Sequence, residues 1–188
     1  MKNLRIIQSS PLSSHCVYML DNMFEESYVQ EMLEHVKLLT EKDTMNKTSN
    51  VKANMTDYRE LLRHDIYKKL FFSAIEYLDL FTKMRNTLTT GYIYEVEDAW
   101  AMKHIKGDYT VLHNHNLWGW SGAFYLQISE ETRMYFGDFL KEEFLKENTL
   151  YLFPSSVMHQ VHEHRGDEPR YSISFNITQR CDDDINNS

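Results

Sequence analysis

His113-Asn114-His115 places two imidazoles two residues apart. On a strand, residues i and i+2 point to the same face because side chains alternate with period two. His159 follows Phe153-Pro154-Ser155 on a later strand-like segment. It could close a facial set of three nitrogens and leave a metal's other coordination positions open to substrates. Neutral imidazole suits Fe, Zn, Cu and Ni alike, so the donors alone do not choose the ion. An isolated His-x-His is as readily a hydrogen-bonded structural pair, and it is the third histidine that turns the reading toward a metal. His162 has the opposite strand parity to His159, and His164 lies next to the turn Gly166-Asp167-Glu168-Pro169, so both are expected to face solvent. His15, His35, His64 and His104 fit no ligand spacing.

Eleven residues beyond His159, Arg170-Tyr171-Ser172-Ile173-Ser174-Phe175-Asn176 alternates strictly. Arg170, Ser172, Ser174 and Asn176 share one face, and Tyr171, Ile173 and Phe175 the other. A polar face turned inward is costly unless something satisfies it. The guanidinium of Arg170 is a planar fork that can take a carboxylate through two hydrogen bonds, and serine hydroxyls can add another. The competing reading is an edge strand with its polar face in water. If Tyr171, Ile173 and Phe175 form the packed face, the strand instead belongs to a barrel with a polar, ligand-bearing interior.

The elements that must position these groups change character near Gly91. Before it, Phe24, Val29, Met32, Leu33 and Val36 recur at helical spacing and predict a helix near 23–40, with Asp21 or Asn22 as its cap. Leu61, Leu62, Ile66, Leu70, Ile75, Leu78 and Phe81 predict a second helix over 57–84, capped by Thr56 or Asp57. Residues 4–20 read as an extended arm or edge strand, and 42–54 as a loop. After Gly91, segments 91–96, 99–105, 108–115, 122–128, 132–137, 149–153, 157–163 and 170–178 are short and rich in β-branched and aromatic residues. Gly107-Asp108, Gly137-Asp138 and Gly166 to Pro169 supply turns between them. Many short strands after two helices predict a mainly β sandwich or barrel braced on one face by helices. The tail from Asp182 is expected to fray.

With 188 residues the chain fits a single domain able to bury a core, and 42% hydrophobic residues with 13% aromatics are those of a folded protein. A net charge of −8 without a basic cluster argues against nucleic acid or an anionic membrane as partner. Cys16 and Cys181 form no CxxC motif, and no disulfide is expected. No apolar run reaches a transmembrane length, and Met1 to Ile7 is too short for a signal core. These features predict a soluble, cytoplasmic protein. A homodimer stays open.

Taken together, Trp100, Lys106-Gly107-Asp108, His113-Asn114-His115, Ser121 to Leu126, Leu152-Phe153-Pro154-Ser155, His159 and Arg170 to Asn176 carry a resemblance. The combination is similar to a 2-oxoglutarate/Fe(II) oxygenase family of phages and marine bacteria, related to the prolyl-hydroxylase-like oxygenases. The resemblance covers residues 91–178 well and the N-terminal helices loosely. It implies a double-stranded β-helix, or jelly roll, over 91–178, with 1–90 as arm and supporting helices. It implies Fe(II) on His113 and His159, with His115 expected as the third ligand from strand parity, and 2-oxoglutarate held at its far carboxylate by Arg170, with support from Ser172 or Ser174 and the Tyr125 hydroxyl. The implied reaction consumes O2, releases succinate and CO2, and hydroxylates a small-molecule or peptide substrate. Most of the wider superfamily carries Asp or Glu two residues after the first histidine, where this chain has His115. That exchange raises the net charge of the site by one and bears on redox potential and metal preference.

For the substrate pocket, flat rings in the loop Asn116-Leu117-Trp118-Gly119-Trp120 and at Tyr92 and Tyr94 are candidates, with packing roles as their alternative. Two other classes compete with the oxygenase reading. A cupin-like three-histidine metalloenzyme would keep the histidines and need no Arg170 clamp. A non-catalytic jelly-roll binding protein would need neither.

Overall fold

The computed structural model describes residues 3–8, 16–42, 50–85, 91–129, 132–139 and 141–181. Two antiparallel sheets face each other. The larger has seven strands: β1 (Asn3–Gln8), β2 (Cys16–Asp21), β10 (Thr149–Pro154), β7 (Trp120–Gln127), β12 (Arg170–Cys181), β5 (Tyr92–His104) and β4 (Asn54–Met55), in that spatial order. The smaller has five: β3 (Val51–Lys52), β6 (Tyr109–His113), β11 (His159–Val161), β8 (Arg133–Phe136) and β9 (Lys141–Phe144). This is the jelly roll. The expected loop over 42–54 thus contributes two short strands from residue 51 onward, and β9 joins the small sheet without having been foreseen.

Side-chain parity divides the large sheet cleanly. Tyr18, Leu20, Phe124, Leu126, Leu150, Leu152, Tyr171, Ile173, Phe175 and Ile177 pack outward against helices α1 (Glu26–Lys42) and α2 (Lys68–Arg85). The helices meet them with Val29, Met32, Leu33 and Val36 from α1, and Leu70, Ala74, Leu78 and Phe81 from α2. The opposite parity, Val17, Met19, Ala123, Tyr125, Tyr151 and Phe153, faces Met134, Phe136 and Val161 of the small sheet. Each fully buried large side chain of this kind contributes roughly 1.5–3 kcal/mol. The helices therefore brace one face of the sheet, as the sequence pattern predicts.

The second helix starts later than its apolar period implies. Thr56 and Tyr58 are still tied to the sheet edge, through Thr56 N–H to Ala101 O (3.1 Å) and Ala99 N–H to Tyr58 O (2.7 Å). The chain leaves that edge as two 3-10 turns, Glu60–Arg63 and Asp65–Tyr67, separated by His64 in an extended conformation. Three of the four expected caps are used elsewhere, while Asp57 accepts the Arg59 N–H at 2.9 Å, at the entry to the first 3-10 turn rather than to α2. Asp21 ends β2 and pairs with Arg5 at 3.1 Å, Asn22 takes a left-handed φ of 55°, and the Thr56 hydroxyl accepts the Ala101 N–H. The expected arm over 4–20 becomes β1 at the sheet edge and β2 inside it, with the middle of that stretch outside the described residues.

Residues 91–96 and 99–105, expected as two strands, are one strand with a bulge. Asn176 pairs with Asp98 and Ile177 with Val96, so Glu97 is the extra residue. Bulges bend a strand and re-aim its side chains, and they recur beside functional sites. Gly107 takes the positive φ of 90° that its turn requires. Cys16 is buried and Cys181 exposed, and no disulfide joins them. No described helix is long and apolar enough to cross a membrane. The expected fraying tail from Asp182 lies outside the described residues.

Candidate metal and co-substrate site

β6 ends at His113 and β11 begins at His159, and the two are direct cross-strand partners with ring centroids 4.3 Å apart. His115 lies just past the end of β6, where its backbone N–H is held by Ser155 O at 2.7 Å. Its ring lies nearly parallel to His159, 5.3 Å away at 15°. One ring nitrogen from each of the three histidines falls within a group spanning 4.8 Å. No other such cluster of metal-ligating groups occurs among the described residues.

Hydrogen bonds fix which nitrogen each ring offers. His113 Nδ1 donates to Val111 O at 2.8 Å and His159 Nδ1 to Val157 O at 2.9 Å. Their Nε2 lone pairs are therefore free and aimed inward, the orientation a backbone carbonyl imposes on a metal-binding histidine. His113 Nε2 and His115 Nε2 are 3.0 Å apart. Two nitrogens at ~2.1 Å from one ion and at right angles would be separated by about 3.0 Å. The donor set thus fits a divalent ion with two adjacent imidazole ligands.

Burial keeps all three rings neutral at physiological pH. It lowers His113 and holds His159 well below the ordinary 6.5, and it brings His115 down to about 4, with the neighbouring His113 adding to the effect. A hydrogen bond to Asn176 opposes the shift at His115. Asn176 also accepts from Ser121 Oγ at 3.3 Å and donates to Asp98 Oδ2 at 3.5 Å. Ser121 Oγ in turn meets Ser155 Oγ at 2.8 Å. Trp100 stacks over the outer face of His115 at 6.1 Å, and Phe153 sets its edge on His159 at 4.7 Å. The Phe153-Pro154-Ser155 motif is now legible: its ring packs one histidine, and its serine anchors another.

A narrow cavity runs from the histidines between the sheets. Arg170, Ser172, Ser174 and Tyr125 all line it, together with His104, Thr110 and the apolar Val51, Met102, Met134 and Val161. Arg170 is fully buried, and Ser172 and Tyr125 are nearly so. Ser172 pairs with Tyr125 across β12 and β7, which puts both side chains on the inner face. Burial pushes the Tyr125 phenol up to about 12 against the opposing charge of Arg170. At neutral pH the phenol is therefore a protonated donor beside a guanidinium. The polar parity of β12 faces inward, as its apolar partner face requires.

Other expectations fare differently. His162 is exposed and pairs with Glu142 at 2.9 Å, as its parity predicts. His164, expected in solvent, is fully buried. Its backbone exchanges bonds with the 105–108 turn (Gly107 N–H to His164 O at 2.8 Å, His164 N–H to Asp108 O at 2.7 Å), and Nε2 meets Glu168 O at 2.8 Å. Tyr94 is not a pocket residue: its ring packs with the helix-facing cluster and its hydroxyl meets Thr82 at 2.6 Å. Tyr92 packs against the same cluster. Trp120 also turns that way, bonding Gln179 Oε1 at 2.7 Å, whereas Trp118 does line a cleft beside the histidines. Sequence reasoning missed Asp98, Ser121 and His104. Only cross-strand register identifies them, since Asp98 sits opposite Asn176 and His104 opposite Arg170.

Comparison with known proteins bears on the fold and on one segment of the chain. Residues 143–176 match the family model described as "Putative 2OG-Fe(II) oxygenase". That segment contains His159, Arg170, Ser172 and Ser174. No curated protein matches the chain. Among solved structures, the viral collagen prolyl hydroxylase of Paramecium Bursaria Chlorella virus-1, in its 2-oxoglutarate complex, aligns with a TM-score of 0.65 at 13% identity, over 86% of this chain and 94% of that one. The prolyl-4-hydroxylase of Pseudomonas putida aligns with a TM-score of 0.64 at 14% identity, over 92% and 97%. HygX of Streptomyces hygroscopicus, with nickel and 2-oxoglutarate bound, gives 0.61 at 13% identity, over 86% and 82%. At such identities the likeness is one of fold.

Proposed function

We propose that this chain is an Fe(II)- and 2-oxoglutarate-dependent oxygenase that hydroxylates its substrate. The observation that carries the reading is the shared cavity: three converging neutral imidazoles and a fully buried arginine line one space between the sheets. His113, His115 and His159 are the iron ligands, and Arg170 takes the far carboxylate of 2-oxoglutarate. When bound, iron and 2-oxoglutarate supply the oxidative chemistry, in which O2 and 2-oxoglutarate become succinate, CO2 and one hydroxyl on the substrate. The family match over the Arg170 strand and the 2-oxoglutarate-bound structural neighbours support this assignment.

The protein's own contribution is orientation and exclusion of water. Val111 O and Val157 O hold two imidazoles in one tautomer, and Asn176 and Ser155 hold the third. Arg170 offers a two-pronged, charge-assisted grip, and Ser172, Ser174 and the protonated Tyr125 add neutral donors that fix the rotation of the carboxylate. Met102, Met134, Val51 and Val161 keep the cavity dry, which strengthens each of these contacts.

The test is an anaerobic titration of the metal-free protein with Fe(II) and then 2-oxoglutarate, followed in the visible. A metal-to-ligand charge-transfer band that needs both components is the expected result. Tight iron binding without the band would favour a cupin-like three-histidine enzyme. Absence of iron binding would reduce the chain to a jelly-roll binding protein.

A further inference from the structure

Beside the histidines, on the side away from Arg170, lies a second cleft of about 250 Å³. Asn50, Val51, Tyr58, Asp98, Trp100, Asn114, Trp118 and Asn176 line it, and His113 and His115 form its floor. The space suits a single side chain or a small metabolite rather than a drug-sized ligand. Its chemistry is selective. Asp98 is its one carboxylate, and no lysine or arginine is among the described residues lining it.

Asp98 is half-buried and, among the described residues, receives only a long 3.5 Å bond from Asn176, itself committed to His115 and Ser121. It takes part in no ion pair among the described residues. The regular register running from Arg170–His104 puts Asp98 opposite Asn176, and the bulge at Glu97 follows directly after that pair. Three aromatic side chains line the same cleft as the carboxylate: Tyr58 and Trp100, edge to face at 5.3 Å, and Trp118. The indole N–H of Trp100 is buried and has no hydrogen-bond partner among the described residues. One carboxylate and three aromatic side chains lining a single small cleft can recognise an ammonium group, through charge and through the faces of the rings. A net charge of −8 attracts cations at longer range in the same sense.

Resting on the oxygenase reading of the adjoining histidines, we propose that this cleft is the prime-substrate site and that the substrate carries a protonated amine bound by Asp98 and the Tyr58, Trp100 and Trp118 rings. The amine anchors the substrate, and the remainder of its carbon chain extends toward the histidine floor. Asn50, Asn114 and the Trp100 indole offer hydrogen bonds to neutral polar groups on the same molecule.

The experiment follows the tryptophan indole N–H signals by NMR during titration with n-butylamine and with N-acetyl-lysine methylamide. Their neutral counterparts, n-butanol and N-acetyl-norleucine methylamide, serve as controls. Each cation should bind at least about tenfold more tightly than its counterpart, a margin of ~1.4 kcal/mol. Asp98→Asn should remove most of that margin, leaving the share the rings supply, and Tyr58→Leu should narrow it by roughly two- to fivefold. Tighter binding of the lysine amide than of butylamine would identify a peptide side chain as the source of the amine, and the reverse a free metabolite. Equal binding of cation and neutral counterpart, or an unchanged margin in Asp98→Asn, overturns the proposal. The titration is run on metal-free protein as well as in the presence of Fe(II) and 2-oxoglutarate. A charge-transfer band without cation preference would leave the oxygenase reading standing and remove this one. Cation preference without the band would do the opposite, leaving an amine-binding cleft.

Discussion

Arg170→Leu tests the co-substrate assignment most directly. The guanidinium is fully buried and shares its cavity with Ser172, Ser174 and the Tyr125 phenol, and no aspartate or glutamate is among the described residues of that wall. A dicarboxylate entering the cavity meets one positive charge in a dry setting, where truncating one partner of a hydrogen-bonded charge pair costs about 2–5 kcal/mol. At 1.4 kcal/mol per tenfold, 2-oxoglutarate should bind roughly 30- to several-thousand-fold more weakly. The serines and Tyr125 remain in place as neutral donors worth about 1 kcal/mol each, which favours the lower half of that range. Metal binding should be largely unaffected, because the three imidazoles are held by Val111, Val157, Ser155 and Asn176 rather than by Arg170. Calorimetry of 2-oxoglutarate into Mn(II)-loaded protein, beside a separate metal titration, reads both quantities. Arg170→Lys keeps the charge but loses the planar fork, so its affinity should fall between the two. Unchanged 2-oxoglutarate affinity in Arg170→Leu would refute the clamp. Loss of metal binding in the same variant would show that the arginine shapes the whole cavity rather than one end of it.

His113→Ala and His159→Ala should each abolish stoichiometric Fe(II) binding in an anaerobic titration, whereas His115→Asp should retain it, because a carboxylate is an equally suitable ligand there. Gly122→Ala should destabilise the fold by about 1–3 kcal/mol in urea, since a Cβ there would meet the Phe175 ring at 2.2 Å. An unchanged urea midpoint would show that Phe175 can move aside. Acid should weaken the metal-free protein. His115 is held at about 4 against an ordinary 6.5, so the unfolded chain takes up its proton first as pH falls. Stability is thus full above 6.5 and is lost progressively toward 4, by about 2 kcal/mol at pH 5 from this group alone. His113 and His159 shift in the same direction and add to the loss, so equal denaturant midpoints at pH 7 and pH 5 would contradict the buried-neutral assignment.

The parts of this design that were legible in the sequence are those that depend on local period. Alternation along 170–176 was enough to put Arg170, Ser172 and Ser174 on one face, and the cluster of Tyr171, Ile173 and Phe175 against the helices shows why that face turns inward. The helical stripes of α1 and α2 were equally plain. What escaped depends on pairing between distant segments. β3 and β4 are two residues long and exist only because β6 and β5 lie beside them. The 3-10 turns before α2 follow from backbone bonds to the sheet edge, which the apolar period of 57–67 cannot express. His164 was misjudged for the same reason: its burial comes from bonds to the Gly107 turn, far away in sequence. The pairing of β12 with β5 leaves no mark in composition, yet it is the register that puts Asp98 opposite Asn176.

His115 is where local and non-local information meet. Its spacing from His113 marks it as a ligand only if strand parity continues to residue 115, but β6 ends at His113. Backbone regularity therefore does not place the third imidazole. A set of contacts from elsewhere does so: Ser155 O on its amide, Asn176 on its ring, and Trp100 across its outer face. A carboxylate at this position would carry its own negative charge to the metal. A neutral imidazole brings none, so the local charge must come from the co-substrate and from groups one bond further out. Among the described residues, Asp98 is the carboxylate linked to the ring, through Asn176, and it also lines the neighbouring cleft. On the proposed assignments, charge at the metal and charge in the neighbouring cleft would be coupled through one amide. A cation bound at Asp98 would withdraw negative potential from the His115 side, so the cleft's occupancy bears on the electronics of the site as well as on the placement of the substrate.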